Sequence, residues 1–171
     1  MIMESNNQDQ GKKKVTEVKI FTIPFSLNGN QEEIIFAGNS TSQEKLIKQA
    51  FKFHSEGNIQ KAAQFYQHLI NQGSKNHKVF SNYGAILQNL GNLKEAEFSF
   101  RKAIQLNPNF EDGYYNLGNI LRDLGKLKDA EISFRKAIQI NPDFIIAHYN
   151  LGDVLRNLGN FKEAELSTRK A

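Results

Sequence analysis

From residue 43 onward, apolar residues return every three or four positions in stretches broken by short polar segments that contain glycine, the spacing of helices with one buried face. The pattern recurs with a period of 34 residues. Leu90-Gly91 returns as Leu124-Gly125 and Leu158-Gly159, Ala96 as Ala130 and Ala164, and Asn107-Pro108 as Asn141-Pro142. Between the blocks that start at His77 and Glu111, roughly twenty of the 34 places are identical, which marks a repeat array.

Each block is numbered here so that Gly84, Gly118 and Gly152 stand at place 8. Places 4, 7 and 11 then hold Phe80, Tyr83 and Leu87; Tyr114, Leu117 and Leu121; and His148, Leu151 and Leu155, which predicts a helix A. Glycine at place 15 follows that stripe, where a left-handed cap carries no Cβ clash, so helix A stops there. Places 20, 24 and 27 (Ala96, Phe100, Ala103; Ala130, Phe134, Ala137) predict a helix B that ends at Asn-Pro. The small residues at places 8, 20 and 27 add little apolar area, so their role is steric: they let the two helices approach while the aromatic at place 24 fills the gap.

One such hairpin cannot bury its apolar face alone, so stability has to come from stacked neighbours, and the expected fold class is all-α, a right-handed solenoid of helix hairpins. Residues 43–76 fit as a degenerate repeat: Gly57, Ile59, Ala62, Tyr66 and Leu69 keep their places, but Gln49-Ala50 replaces Leu-Gly and Ser74 replaces proline. Two full repeats follow at 77–110 and 111–144, then a truncated one at 145–171. The shortened last helix B is expected to mark a fragment of a longer array and to leave an uncapped end suited to self-association. Ahead of the array, residues 1–14 have almost nothing to bury and are expected to form a disordered tail. Residues 15–42 are expected to be extended or a β-hairpin, from Val15, Val18, Ile20, Phe21, the Asn28-Gly29 turn and Ile34-Ile35-Phe36, with Pro24 restricting the first strand to an edge.

The bulky residue at place 4, Leu-Gly at 7 and 8, Ala at 20, the aromatic at 24, Ala at 27 and Pro at 32 resemble the tetratricopeptide repeat, whose period is the same. The resemblance implies a protein-binding scaffold that works through the concave side of the solenoid.

Composition narrows the chemistry. The chain has no cysteine and four histidines (His54, His68, His77, His148), none in a ligand spacing, so no metal or other cofactor is expected. No phosphate-binding glycine loop, dinucleotide fingerprint, HExxH or Gly-x-Ser-x-Gly motif occurs, so no enzyme activity is expected. A net charge of +4 without a basic face gives no reason to expect nucleic acid. No apolar run is long enough for a membrane span and no signal peptide opens the chain, so a cytoplasmic protein without membrane contact is expected.

Places 2, 5, 6, 9, 12 and 13 lie opposite the packing stripe of helix A, and the resemblance identifies that side as the concave groove. Its candidate peptide-binding residues are Asn82, Asn116 and Asn150 at place 6, with Tyr115, Tyr149, Asn119, Arg122 and Arg156. A row of amides, each both donor and acceptor, can hold the backbone of an extended peptide without reading its side chains. It is similar to the asparagine ladder of the O-linked N-acetylglucosamine transferase family. An alternative is that the asparagines recur because the repeats are recent copies of a face that must be polar. The Lys and Arg pattern of the groove that clamps a C-terminal carboxylate in some tetratricopeptide domains is missing here. The recurrent Arg-Lys pairs at places 25 and 26 are read as i, i+4 partners of nearby acids on a solvated face. The expected function is a protein–protein interaction scaffold for an extended peptide segment. The alternative is the substrate-recognition portion of a larger glycosyltransferase or sulfotransferase whose catalytic domain lies beyond residue 171.

Overall fold

The computed structural model describes residues 42–170. The tail expected at 1–14 and the hairpin or extended segment expected at 15–42 lie outside the described residues, apart from Ser42, which opens the first helix. Among the described residues there are eight helices and no strands: α1 Gln43–Ser55, α2 Ile59–Asn71, α3 His77–Asn89, α4 Leu93–Leu106, α5 Glu111–Asp123, α6 Leu127–Ile140, α7 Ile145–Asn157 and α8 Phe161–Thr168. Odd-numbered helices are the A helices of four hairpins and even-numbered ones the B helices. Consecutive helices make the main contacts, and α3 also touches α5 as α5 touches α7, so the fold is a solenoid in which each hairpin rests on the next.

The helix ends follow from single residues. Gly91 and Gly125 have φ of +78° and +73°, a region closed to most side chains, and the turn lets Asn92 N–H reach back to Leu87 C=O and Lys126 N–H to Leu121 C=O. Helices α4 and α6 end at Asn107 and Asn141, whose extended backbones are what a following proline enforces. Helix α2, in the degenerate repeat, ends on a left-handed Gly73 (φ +75°) instead.

Inside the second and third hairpins the aromatic at place 24 lies over the glycine at place 8. Phe100 and Phe134 are both fully buried. A Cβ built on Gly84 would stand 3.0–3.1 Å from the Phe100 ring, and one on Gly118 only 2.6–2.9 Å from the Phe134 ring. Glycine is therefore the price of close helix approach at this crossing. Ala96, Ala103, Ala130 and Ala137 are likewise fully buried, so the steric role expected for the small residues holds.

The buried surface of helix A is wider than the stripe at places 4, 7 and 11. Val79 and Ile86, Ile120, and Ala147 and Val154, at places 3 and 10, are all buried. Place 6 falls between them at i, i+3, i+7 spacing, on a second stripe one step around the helix.

Candidate functional site

The candidate residues of the A helices do not form one uniform row. Asn150 is 8% exposed, and its amide donates to Asn119 Oδ1 at 2.9 Å and to the Tyr115 hydroxyl at 3.3 Å, both in the preceding repeat. Asn82 donates to the hydroxyl of Tyr66, again in the preceding repeat, at 3.1 Å. Asn116 is half-buried, and its side-chain amide makes no hydrogen bond among the described residues. Place 6 thus sits on the seam between hairpins, because it shares a stripe with the buried places 3 and 10. In two repeats its amide ties the seam; in one it is unused.

Tyr115, Asn119 and Asn150 are brought together across α5 and α7. The Tyr115 ring packs 5.3 Å from Phe144 and 6.0 Å from Phe134, which fixes its hydroxyl at the seam. After the bonds from Asn150, the Tyr115 proton and the Asn119 Nδ2 donors are still unused. Tyr149 is 53% exposed on α7, one turn from Ile146 at 48%. Sequence reasoning did not single out Ile146 as a site residue. The available signal was an isoleucine at place 2, where the two full repeats have Lys78 and Asp112.

The two arginines are not free cations. Arg156 is paired with Asp153, and Arg122 Nε lies 3.6 Å from Asp123 Oδ1. Gln88 reaches Asp123 from the preceding repeat at 3.3 Å, which places 12 and 13 of neighbouring repeats side by side. Burial and the adjacent Glu111 push the Asp112 carboxyl up, partly offset by Lys78. The face is therefore polar, and its charges are largely paired within it.

At the N-terminal end, the Tyr66 hydroxyl accepts from Asn82 and lies 3.1 Å from His54 Nδ1. Its single proton can go to Nδ1 of a neutral His54, the donor and acceptor roles following the imidazole tautomer. Burial lowers the His54 pKa from 6.5 and raises that of Tyr66 to about 12, although the Asn82 bond opposes the latter. A histidine held neutral by the fold contributes stability that is complete above its unfolded value and lost as pH falls through the folded one. We expect the urea midpoint to fall between pH 7.5 and 5, and His54→Gln to remove part of that fall. His77, also lowered by burial and by Lys78, supplies a further share. A profile identical in His54→Gln and wild type would remove His54 from the account.

The fourth histidine, His148, is 6% exposed and donates from Nε2 to Pro142 C=O at 2.8 Å, a residue of the packing stripe as its place 4 predicts. No group of His, Cys, Asp and Glu able to hold a metal occurs among the described residues. No helix among them is long and apolar enough to cross a membrane.

On the B helices the Arg-Lys pairs divide. Arg101 pairs with Glu97 at 2.9 Å, Arg135 with Glu131 at 3.0 Å and Arg169 with Glu165 at 2.6 Å, the i, i+4 pattern expected. Two further pairs cross between repeats, Lys126 to Glu97 at 2.8 Å and Arg135 to Glu163 at 2.6 Å. Burial would push the Glu97 carboxyl up, but the hydrogen bonds from Lys126 and Arg101 win and hold it below its ordinary value. The lysines do not follow the pattern: Lys102 and Lys136 donate to Gln105 and Gln139. Among the described residues, Lys94, Lys162 and Lys170 have no ion-pair partner.

Family models for the tetratricopeptide repeat match residues 77–110 and 99–132, and a TPR repeat model matches 118–159. Residues 77–159 are tetratricopeptide repeats. No curated protein matches this chain by sequence at a significant level. Solved structures do match it by fold. A crystal structure of MamA superposes with a TM-score of 0.72 at 23% identity, covering 77% of each chain. YrrB, described as a TPR protein with an unusual peptide-binding site, gives 0.68 at 21% identity over 77% of this chain and 68% of that one. A mutant O-GlcNAc transferase of Thermobaculum terrenum gives 0.60 at 24% identity over 66% of this chain and 22% of that one. At these identities the likeness is one of fold alone.

Proposed function

We propose that the array is a non-catalytic scaffold whose A-helix face, on α3, α5 and α7, holds an extended segment of a partner protein. The observation that carries this reading is the unused Asn116 amide, half-buried on α5. It offers two donors and an acceptor, the complement of a peptide group, on a face that also exposes Ile146 and Tyr149 of α7 as an apolar anchor. The Tyr115–Asn119 pair adds donors for a second peptide carbonyl. Asn82 and Asn150 act differently from Asn116: they hold neighbouring repeats in register, so the ladder has one open rung and two structural ones. YrrB, of the same fold, is described as binding a peptide, which agrees with this assignment. The paired charges of the lining favour an internal segment over a charged chain terminus, and predict affinity that changes little with salt.

The test is selection of unstructured peptides against the chain, followed by titration of the selected peptide into wild type and Asn116→Ala/Tyr149→Ala. Alanine is favoured over asparagine within a helix by up to about 0.7 kcal/mol, so helicity by circular dichroism should be kept. Affinity should fall at least tenfold, about 1.4 kcal/mol. Equal affinity in the two proteins would reject the site.

A further inference from the structure

Place 22 lies on the exposed side of helix B, and in three successive repeats it is a large apolar residue. Phe98, Ile132 and Leu166 are 64%, 65% and 61% exposed. One exposed apolar side chain on a surface is ordinary, whereas a row in register on consecutive elements marks a contact. The residue changes from repeat to repeat while its apolar character stays, although flanking places keep identical residues. Each of the three has a lysine one turn before it, at place 18, and an Arg-Lys pair one turn after it. The first repeat has Gln60, Gln64 and Gln67 at the corresponding places, so the pattern belongs to α4, α6 and α8 alone.

The ion pairs decide what this border offers. The arginines are answered by glutamates of the same face, but most of the lysines at places 18 and 26 are not; Lys128, 3.7 Å from Glu131, is the one with a carboxylate in reach among the described residues. The outer face therefore presents an apolar row bordered on both sides by lysines, most of which have no carboxylate partner among the described residues. Beside Leu166 a cavity of about 430 Å³ opens between α6, α7 and α8, with Ile138, Leu151 and Leu155 in its wall.

We propose that this outer face docks an acidic amphipathic helix of a partner protein. The helix lays its apolar stripe on Phe98, Ile132 and Leu166, sets one side chain in the cavity beside Leu166, and turns Glu and Asp on its two flanks toward the two lysine rows. Charge complementarity selects the acidic sign. Exposed Glu95 and Asp129 stand among the lysines, where they repel a continuous sheet of anionic headgroups, but a helix can place its carboxylates around them. Three anchoring side chains make a small patch, so the complex belongs to the weak, transient class.

The probe is a synthetic amphipathic helix with leucine at i, i+3 and i+7 spacing and glutamate on its flanks, alongside the same peptide with lysine for glutamate. Fluorescence anisotropy should show micromolar binding of the acidic peptide by the whole chain, at least tenfold tighter than the basic one, and weakened by salt. The triple variant Phe98→Gln, Ile132→Gln, Leu166→Gln changes exposed side chains only and should keep its helicity while losing at least tenfold in affinity. Asn116→Ala/Tyr149→Ala should bind the acidic helix as wild type does, which separates this face from the A-helix face. Absence of binding, no preference for the acidic peptide, or unchanged affinity in the triple variant overturns the proposal. So does binding to phosphatidylglycerol vesicles in place of the peptide, which would make the face a membrane contact.

Discussion

Replacing Phe134 by alanine is expected to lower the unfolding free energy by about 3–5 kcal/mol, the cost of removing a large aromatic from a closed interior. The ring is fully buried, lies against Gly118 and is 6.0 Å from the ring of Tyr115. Its loss leaves a cavity inside the third hairpin, at the centre of α5–α6 packing. In a solenoid each hairpin is stabilised by its neighbours, so the damage is not confined to one repeat. Hydrogen exchange should show protection lost over α5 and α6, and over α7 and α8, which then rest on a weakened neighbour, while α1–α3 keep most of theirs. Urea unfolding should become broader or split. A loss below about 1 kcal/mol would mean that the aromatic at place 24 does not hold the hairpin together.

The second large effect is at the other side of that contact. Gly118→Ala places a methyl 2.6 Å from Phe134 Cε1 and 2.8 Å from Cδ1. The ring is enclosed and cannot swing away as a flexible chain end would. Overpacking of this kind costs about 1–3 kcal/mol, whereas alanine recovers about 1 kcal/mol of helix propensity. We expect a net destabilisation of up to about 2 kcal/mol, read from urea midpoints. Gly84→Ala is the internal comparison: its Cβ would meet the Phe100 ring at 3.0–3.1 Å, so the ring has to give by only a few tenths of an ångström. Steric cost and propensity gain should nearly cancel there, leaving stability within about 0.5 kcal/mol of wild type. Equal effects at the two glycines, or a stabilising Gly118→Ala, would show that close approach is not why glycine stands at place 8. Phe134→Leu should partly rescue Gly118→Ala, because the two sites share one contact and their effects should not add.

Much of the fold was legible in the sequence because it depends on contacts within one hairpin. The 34-residue period, the glycine caps at Gly91 and Gly125, the Asn-Pro stops and the pairing of Gly118 with Phe134 are local, and two or more copies of each make them visible. What was not legible depends on how one hairpin is turned relative to the next. That turn buries places 3 and 10 and carries Asn150 onto Tyr115 and Asn119, so an asparagine read as lining is part of a seam. It also brings Glu163 to Arg135 and Lys126 to Glu97, ion pairs between residues 28 and 29 positions apart that no single-helix spacing foretells. The His54–Tyr66–Asn82 network escaped notice for the same reason, since its three members stand on three helices.

The row of asparagines therefore has two uses. Where the preceding repeat offers an acceptor, as Tyr66 does for Asn82 and Asn119 for Asn150, the amide turns inward and joins the hairpins. Asn116 has no such partner, and its amide is available to a ligand. The apolar side chains at Ile146 and Tyr149 lie on the next A helix, so a bound segment would run across the α5–α7 seam.

The most direct measurement is nuclear magnetic resonance of the chain during titration with a peptide selected against it, following the side-chain amide signals of the asparagines. The account predicts a large shift at Asn116, a smaller one at Asn119, backbone shifts on α5 and α7, and little change at Asn82 or on α4 and α6. Shifts confined to the B helices, or an Asn116 side-chain signal that stays in place as the peptide saturates, would contradict it.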